Sequence, residues 1–157
     1  MRGIFSVLVE NKDGVLSQIS GLFARRGFNI DSLAVGETER HDISSMTIVS
    51  TGDSRTIDQI EKQLNKKVDV IKVRRLEETK CIELDMLLIK VSYNSTNRGS
   101  LIETCSVMGA KIMHVSPKNM LIELHDHPEV IEDFINLVRP YGILEVQRTG
   151  VIAMGKG

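Results

Sequence analysis

From Gly3 to Glu10 the chain is mainly β-branched and aliphatic, a run that predicts a buried strand. Asn11-Lys12-Asp13-Gly14 is turn chemistry, with Asp13 placed to cap a helix. Between Val15 and Arg26 the apolar residues Val15, Leu16, Ile19, Leu22 and Phe23 recur at helical spacing. Arg25 and Arg26 fall in its last turn, where cations suit the helix dipole, and Gly27 supplies the stop. A strand is expected over 29–36, a polar turn over 37–42 and a returning strand over 43–50. Asp53 and Ser54 begin a second helix with Ile57, Ile60 and Leu64 on one stripe, and a strand over 68–76 closes the unit. The order is β-α-β-β-α-β, a ferredoxin-like arrangement.

Glu77-Glu78-Thr79-Lys80 interrupts the pattern with charge, after which the same order returns. Strands are expected over 81–93, 111–116, 120–125 and 143–148. A helix over 98–108 carries Leu101, Ile102, Cys105 and Met108, and Gly109 ends it as Gly27 ended the first. Pro128 suits the first position of a helix bearing Ile131, Phe134, Ile135 and Val138. The expected fold is α+β, two tandem ferredoxin-like domains, with residues 1–76 as the first, 77–80 as a linker and 81–157 as the second.

Composition narrows the function. With 20 Lys+Arg against 21 Asp+Glu, the net charge of −1 provides no basic face for nucleic acid, and 4% aromatics leave few base-stacking platforms. No run approaches the roughly 18 apolar residues of a membrane helix, and Glu10 to Asp13 break up the start too early for a secretory signal. A cytoplasmic protein is expected. Cys81 and Cys105 lie on apolar elements and read as packed thiols.

The first turn is the chemically informative place. Gly14 lets a ligand approach the backbone closely, and the amides of Gly14, Val15 and Leu16 point out of a helix N-terminus. Such a terminus favours an anion by about 0.3–1 kcal/mol, up to ~2 kcal/mol when partly buried. Asn11 and Asn29 add neutral amide and carbonyl groups, and Ile30 and Leu33 an apolar wall. Together these groups suit a zwitterion such as an amino acid. The same tetrapeptide is also an ordinary strand-to-helix turn, and the residues alone leave both readings open.

Other clusters carry less. His125-Asp126-His127, with His114 as a third nitrogen, lacks a fixed set of further ligands, so no metal is expected. Asp85-Met86-Leu87-Leu88 reads as core, and Arg74-Arg75 as a solvated pair. No Ser/His/Asp order, paired-carboxylate site or phosphate loop is present, so no catalytic residue is assigned.

The run NKDGVLSQISGLFARRGFNIDSLAVGETE (11–39) resembles the opening of the ACT domain in regulatory subunits of acetohydroxyacid synthase (acetolactate synthase). The resemblance continues through MTIV (46–49), Gly52-Asp53, IEKQL (60–64) and VDVIKV (68–73). It resumes at LLIKV (87–91), RPYGI (139–143), Glu145-Val146 and RTG (148–150), and so spans both halves. It implies a non-catalytic subunit of branched-chain amino-acid biosynthesis that activates a separate catalytic subunit and confers feedback inhibition by an effector, usually valine. It implies a homodimer whose effector lies between two ACT domains, with Asn11, Gly14, Val15 and Leu16 from one protomer facing Asn29 and Ile30 of the other. Thiamine diphosphate, Mg²⁺ and FAD then belong to the catalytic subunit. Gln18, Ser45, Lys67, Leu84 and His114 depart from the usual pattern, none of them among these contacts. The alternative readings are an amino-acid-sensing module acting on another enzyme or a transcriptional regulator, and a small enzyme in its own right.

Overall fold

The computed structural model describes all residues, Met1–Gly157. They form two compact units, Met1–Ile82 together with Val151–Gly157, and Glu83–Gly150. The first unit runs β1 (Arg2–Glu10), α1 (Val15–Arg26), β2 (Ser32–Glu37), β3 (Ile43–Thr51), α2 (Ser54–Asn65) and β4 (Val70–Leu76). Its antiparallel sheet has the order β2-β3-β1-β4. Alternation along β1 sends Phe5, Val7 and Val9 into a core with Ile19, Phe23, Ile48, Ile57, Ile60 and Leu64. Phe23 meets Phe28 edge to face, with centroids 5.8 Å apart. Asp53 caps α2 by accepting the Thr56 amide at 2.7 Å, and that bond holds its carboxyl below the usual range.

The closing strand of the first unit starts at Val70 rather than at the exposed Val68, and two expectations beside the candidate site also change. The N-cap of α1 is Gly14 at φ 85°, not Asp13, because the chain turns into the helix through the left-handed region that glycine enters freely. The second strand starts at Ser32 rather than at 29, because Asn29 and Asp31 hold the chain through their side chains instead.

The face of this sheet away from the helices is partly covered. Ile4 and Val49 point to that face, opposite to Phe5 and Ile48, yet both are buried. Residues 151–157, including β9 (Ile152–Gly155), lie against β1, β3 and β4. No sequence pattern announces this strand. The expected second domain of 81–157 includes it, whereas in the structure residues 151–157 pack with the first unit, where they bury apolar area on that outer face.

The chain enters the second unit along β5 (Cys81–Ser92) and continues as α3 (Arg98–Met108), β6 (Lys111–Val115), β7 (Asn119–Asp126), α4 (Pro128–Val138) and β8 (Ile143–Arg148). The order β6-β7-β5-β8 repeats that of the first sheet, so the α+β ferredoxin-like fold occurs twice. The expectation of Asp85–Leu88 as core holds for alternate residues only. Asp85 and Leu87 are buried, whereas Met86 and Leu88 face outward, as the two-residue period requires.

The buried carboxylates of β5 are paired. Asp85 accepts from Arg148 Nε at 2.9 Å and Nη2 at 2.5 Å, and Glu83 lies 3.4 Å from His127 Nε2. Burial works against the Arg148 cation, but Glu132 and Asp85 outweigh it and shift its pKa upward. His127 caps α4, its Nδ1 accepting the Glu129 amide at 3.1 Å, and His125 Nδ1 meets Glu123 at 2.7 Å. Cys81 and Cys105 are buried, and burial pushes the Cys105 thiol up.

Candidate functional site

Asn11, Gly14, Val15 and Leu16 share the turn from β1 into α1. The Asn11 amide group donates to His41 O at 2.8 Å and to Glu37 Oε1 at 3.3 Å, which ties the turn to the hairpin between β2 and β3. The turn is tied further by Asn11 N donating to Asp42 O at 2.8 Å. Lys12 is held by Glu10 at 2.8 Å; this contact lowers the Glu10 pKa and raises that of Lys12. The loop cation is therefore neutralised within the loop. Val15 is buried and anchors the helix start, while Leu16 is exposed.

The amides of Gly14, Leu16 and Ser17 find no acceptor in the chain, and that of Val15 makes only a long bond to Lys12 O, 3.4 Å. A Cβ built on Gly14 meets nothing within 4 Å. The turn thus offers unsatisfied donors beside open space, which is what a carboxylate needs. The Ser17 amide was missed from sequence, although its place in the first turn of α1 is a position where any helix leaves an orphan donor.

Asn29 and Ile30 lie between α1 and β2. The Asn29 carbonyl accepts from the Ser50 hydroxyl, and its side chain donates to Asp31. Asp31 also accepts from Thr51 Oγ1, and its amide donates to Val49 O at 2.8 Å. Ile30 and Leu33 pack against the core. Ser50, Thr51 and Asp31 are the supports that sequence reasoning missed; two carry hydroxyls at the end of a strand, a weak signal without the fold.

Within one chain the two halves of the site are not brought together. Ser32 pairs with Val49 and Val49 with Ile4, so Asn29 and Ile30 belong to the end of the sheet where β1 begins. The α1 turn follows Glu10, six residues further along β1, or about 20 Å at strand rise. A separate cavity of about 500 Å³ opens on the outer sheet face beside Ser6, Lys72, Arg74 and Met154, and none of the six predicted residues lines it.

Residues 5–72 match the model of the AHAS small subunit-like ACT domain, and residues 84–157 match the model described as the small subunit of acetolactate synthase. The chain is 45% identical over 152 residues to the acetolactate synthase small subunit of Mycolicibacterium smegmatis, covering 97% of this chain and 89% of that one. It is 39% identical over 158 residues to the acetolactate synthase small subunit of Haemophilus influenzae, covering 100% and 97%. The crystal structure of the acetolactate synthase small subunit from Thermotoga maritima superposes with a TM-score of 0.92 at 38% identity, covering 100% of this chain and 98% of that one.

Proposed function

Because the chain belongs to the family of acetolactate synthase small subunits, with an ACT domain in its first half, we propose that it activates a catalytic subunit and makes it sensitive to valine. The supporting observation is the separation of the two half-sites along the first sheet. β2 is an edge strand with one backbone edge unpaired. Antiparallel pairing with the β2 of a second copy places the start of one strand beside the end of the other. The end of β2, at Glu37, is where Asn11 is anchored. A two-fold dimer therefore carries the partner protomer's Asn29–Ile30 segment toward the open turn at Gly14, and closes a gap that one chain cannot close.

In that site the effector carboxylate takes the free amides of Gly14, Leu16 and Ser17. Asn11 and the partner protomer's Asn29 serve its polar groups, and Ile30 bounds its side chain. One methylene is worth about 1–3 kcal/mol in such a pocket, so leucine and isoleucine compete closely with valine. The chain contributes no reacting group. Thiamine diphosphate, Mg²⁺ and FAD are held by the catalytic subunit, and regulation consists of valine and the catalytic subunit favouring different states of this dimer. Reconstitution with a catalytic subunit tests the reading: activity rises on adding this chain and falls on adding valine. Activation without valine sensitivity refutes the effector assignment, and no activation refutes the role altogether.

A further inference from the structure

Residues 151–157 hold the first sheet at the point where β2 begins. The Val151 amide donates to Ser32 Oγ at 2.8 Å and the Ala153 amide to Thr47 Oγ1 at 3.3 Å. The Lys156 amide donates to Lys80 O at 2.9 Å and fixes the far end of the segment. Below it lie the buried Ile4 and Val49. Val49 is the same residue whose carbonyl accepts the Asp31 amide, and Asp31 receives the Asn29 side chain. The segment thus bears on Ser32 and Val49 from one side while the Asn29–Ile30 stretch hangs from them on the other.

We propose that the closing strand, β9, is a positioning element for the effector half-site: it fixes the entry of β2 and, through it, the aim of Asn29 and Ile30. The inference rests on the effector reading above. Its physical basis is the weakness of a strand's first residues, which lie at the end of the hydrogen-bonded ladder and fray readily. With 151–157 in place, Ser32 accepts a backbone amide and Val49 is dry. Without them the Ser32 hydroxyl loses that donor and an apolar row meets water. The effector then orders residues 29–32 itself, and its apparent affinity falls by the fraction of chains already ordered.

The test compares the intact chain with a chain ending at Gly150, with Ser32→Ala and with Ser32→Thr. Valine is titrated into each by calorimetry, and exchange of the Asp31 amide is followed without valine. Truncation weakens binding about tenfold, the scale of ordinary coupling between sites. Ser32→Ala weakens it about threefold by removing one acceptor, and Ser32→Thr restores it. Asp31 exchanges faster in the weakened variants, while the amide of Val7 in the middle of the sheet stays protected. Wild-type affinity in both the truncated chain and Ser32→Ala overturns this inference alone. An intact chain that does not bind valine overturns the effector reading and this inference with it. Should the truncated chain fail to fold, the two Ser32 variants decide the matter.

Discussion

In the first unit the chain enters α1 through a glycine in the left-handed region, whereas in the second it enters α3 through a loop closed by two asparagines. Asn94 Oδ1 accepts the amides of Thr96 and Asn97, both at 2.9 Å, and Asn97 Oδ1 accepts the Asn94 amide at 2.8 Å. Ser100, in the first turn of α3, meets the Tyr141 hydroxyl at 2.7 Å. The second turn satisfies the amides of Asn94, Thr96, Asn97 and Arg98, leaves those of Gly99 and Ser100 without an acceptor, and has the Tyr141 hydroxyl seated on the first turn of its helix. The first turn leaves donors without acceptors beside empty space. The two units share an element order and a sheet order, and both helix starts leave orphan amides, but only that of α3 has a tyrosine hydroxyl hydrogen-bonded to its first turn. Repetition of a topology therefore does not repeat a site, because binding depends on what the fold sets beside the orphan amides of a helix start.

The largest effects come from the two cores and show whether effector binding follows one of them. Phe23→Ala and Phe134→Ala each remove a fully buried ring and each lower stability by about 3–5 kcal/mol in denaturant unfolding. Valine affinity falls with Phe23→Ala and is kept with Phe134→Ala; equal losses break the contrast. Next is the turn itself. On the proposed effector site, Gly14→Asp sets a carboxylate against the effector's own and weakens valine binding roughly a hundredfold, while Gly99→Asp, at the start of α3, leaves it unchanged. Gly14→Ala separates backbone strain from charge, since its added methyl meets no atom within 4 Å.

Smaller effects probe how each unit closes its loops. Asn94→Ala strips two acceptor contacts from the second turn and costs about 1 kcal/mol of thermal stability, with valine inhibition intact. Altered inhibition in that variant shows the second turn to be part of the site. The Asp53 cap gives an acid signature in the first unit. Its pKa is lowered in the folded chain, so its contribution is present above the ordinary carboxylate value and is lost as pH falls through the lowered one. Asp53→Asn removes that step from a plot of melting temperature against pH; an unchanged acid limb refutes it.

Much of this architecture was legible in the chain. The spans of α1 and α3 are legible residue for residue, because each helix carries an apolar stripe ended by glycine, and the strand expected over 143–148 is β8. The start of α4 was legible from Pro128. Less was visible where tertiary contacts decide. Ser32 begins β2 because Asn29, Asp31, Ser50 and Thr51 bond to one another, and nothing local in 29–32 announces those partners. β9 has four residues and no alternation long enough to read, and its reason for forming is an apolar face built some hundred residues earlier. In the candidate site the α1 turn was legible from glycine and helix chemistry. That Asn29 belongs to the opposite end of the sheet in the same chain required the sheet register.

The return of residues 151–157 to the first unit also sets an order of events during synthesis. β1 to β4 leave the ribosome together, but the cover for Ile4 and Val49 is translated only after the whole second unit. From Leu76 to Val151 is 75 residues (151 − 76), about 4–15 s of translation at ordinary rates. Throughout that interval the nascent ACT sheet shows an apolar strip that no part of its own chain yet reaches. The half of the protein made first is thus the half finished last, and its period of exposure is fixed by the length of the second unit.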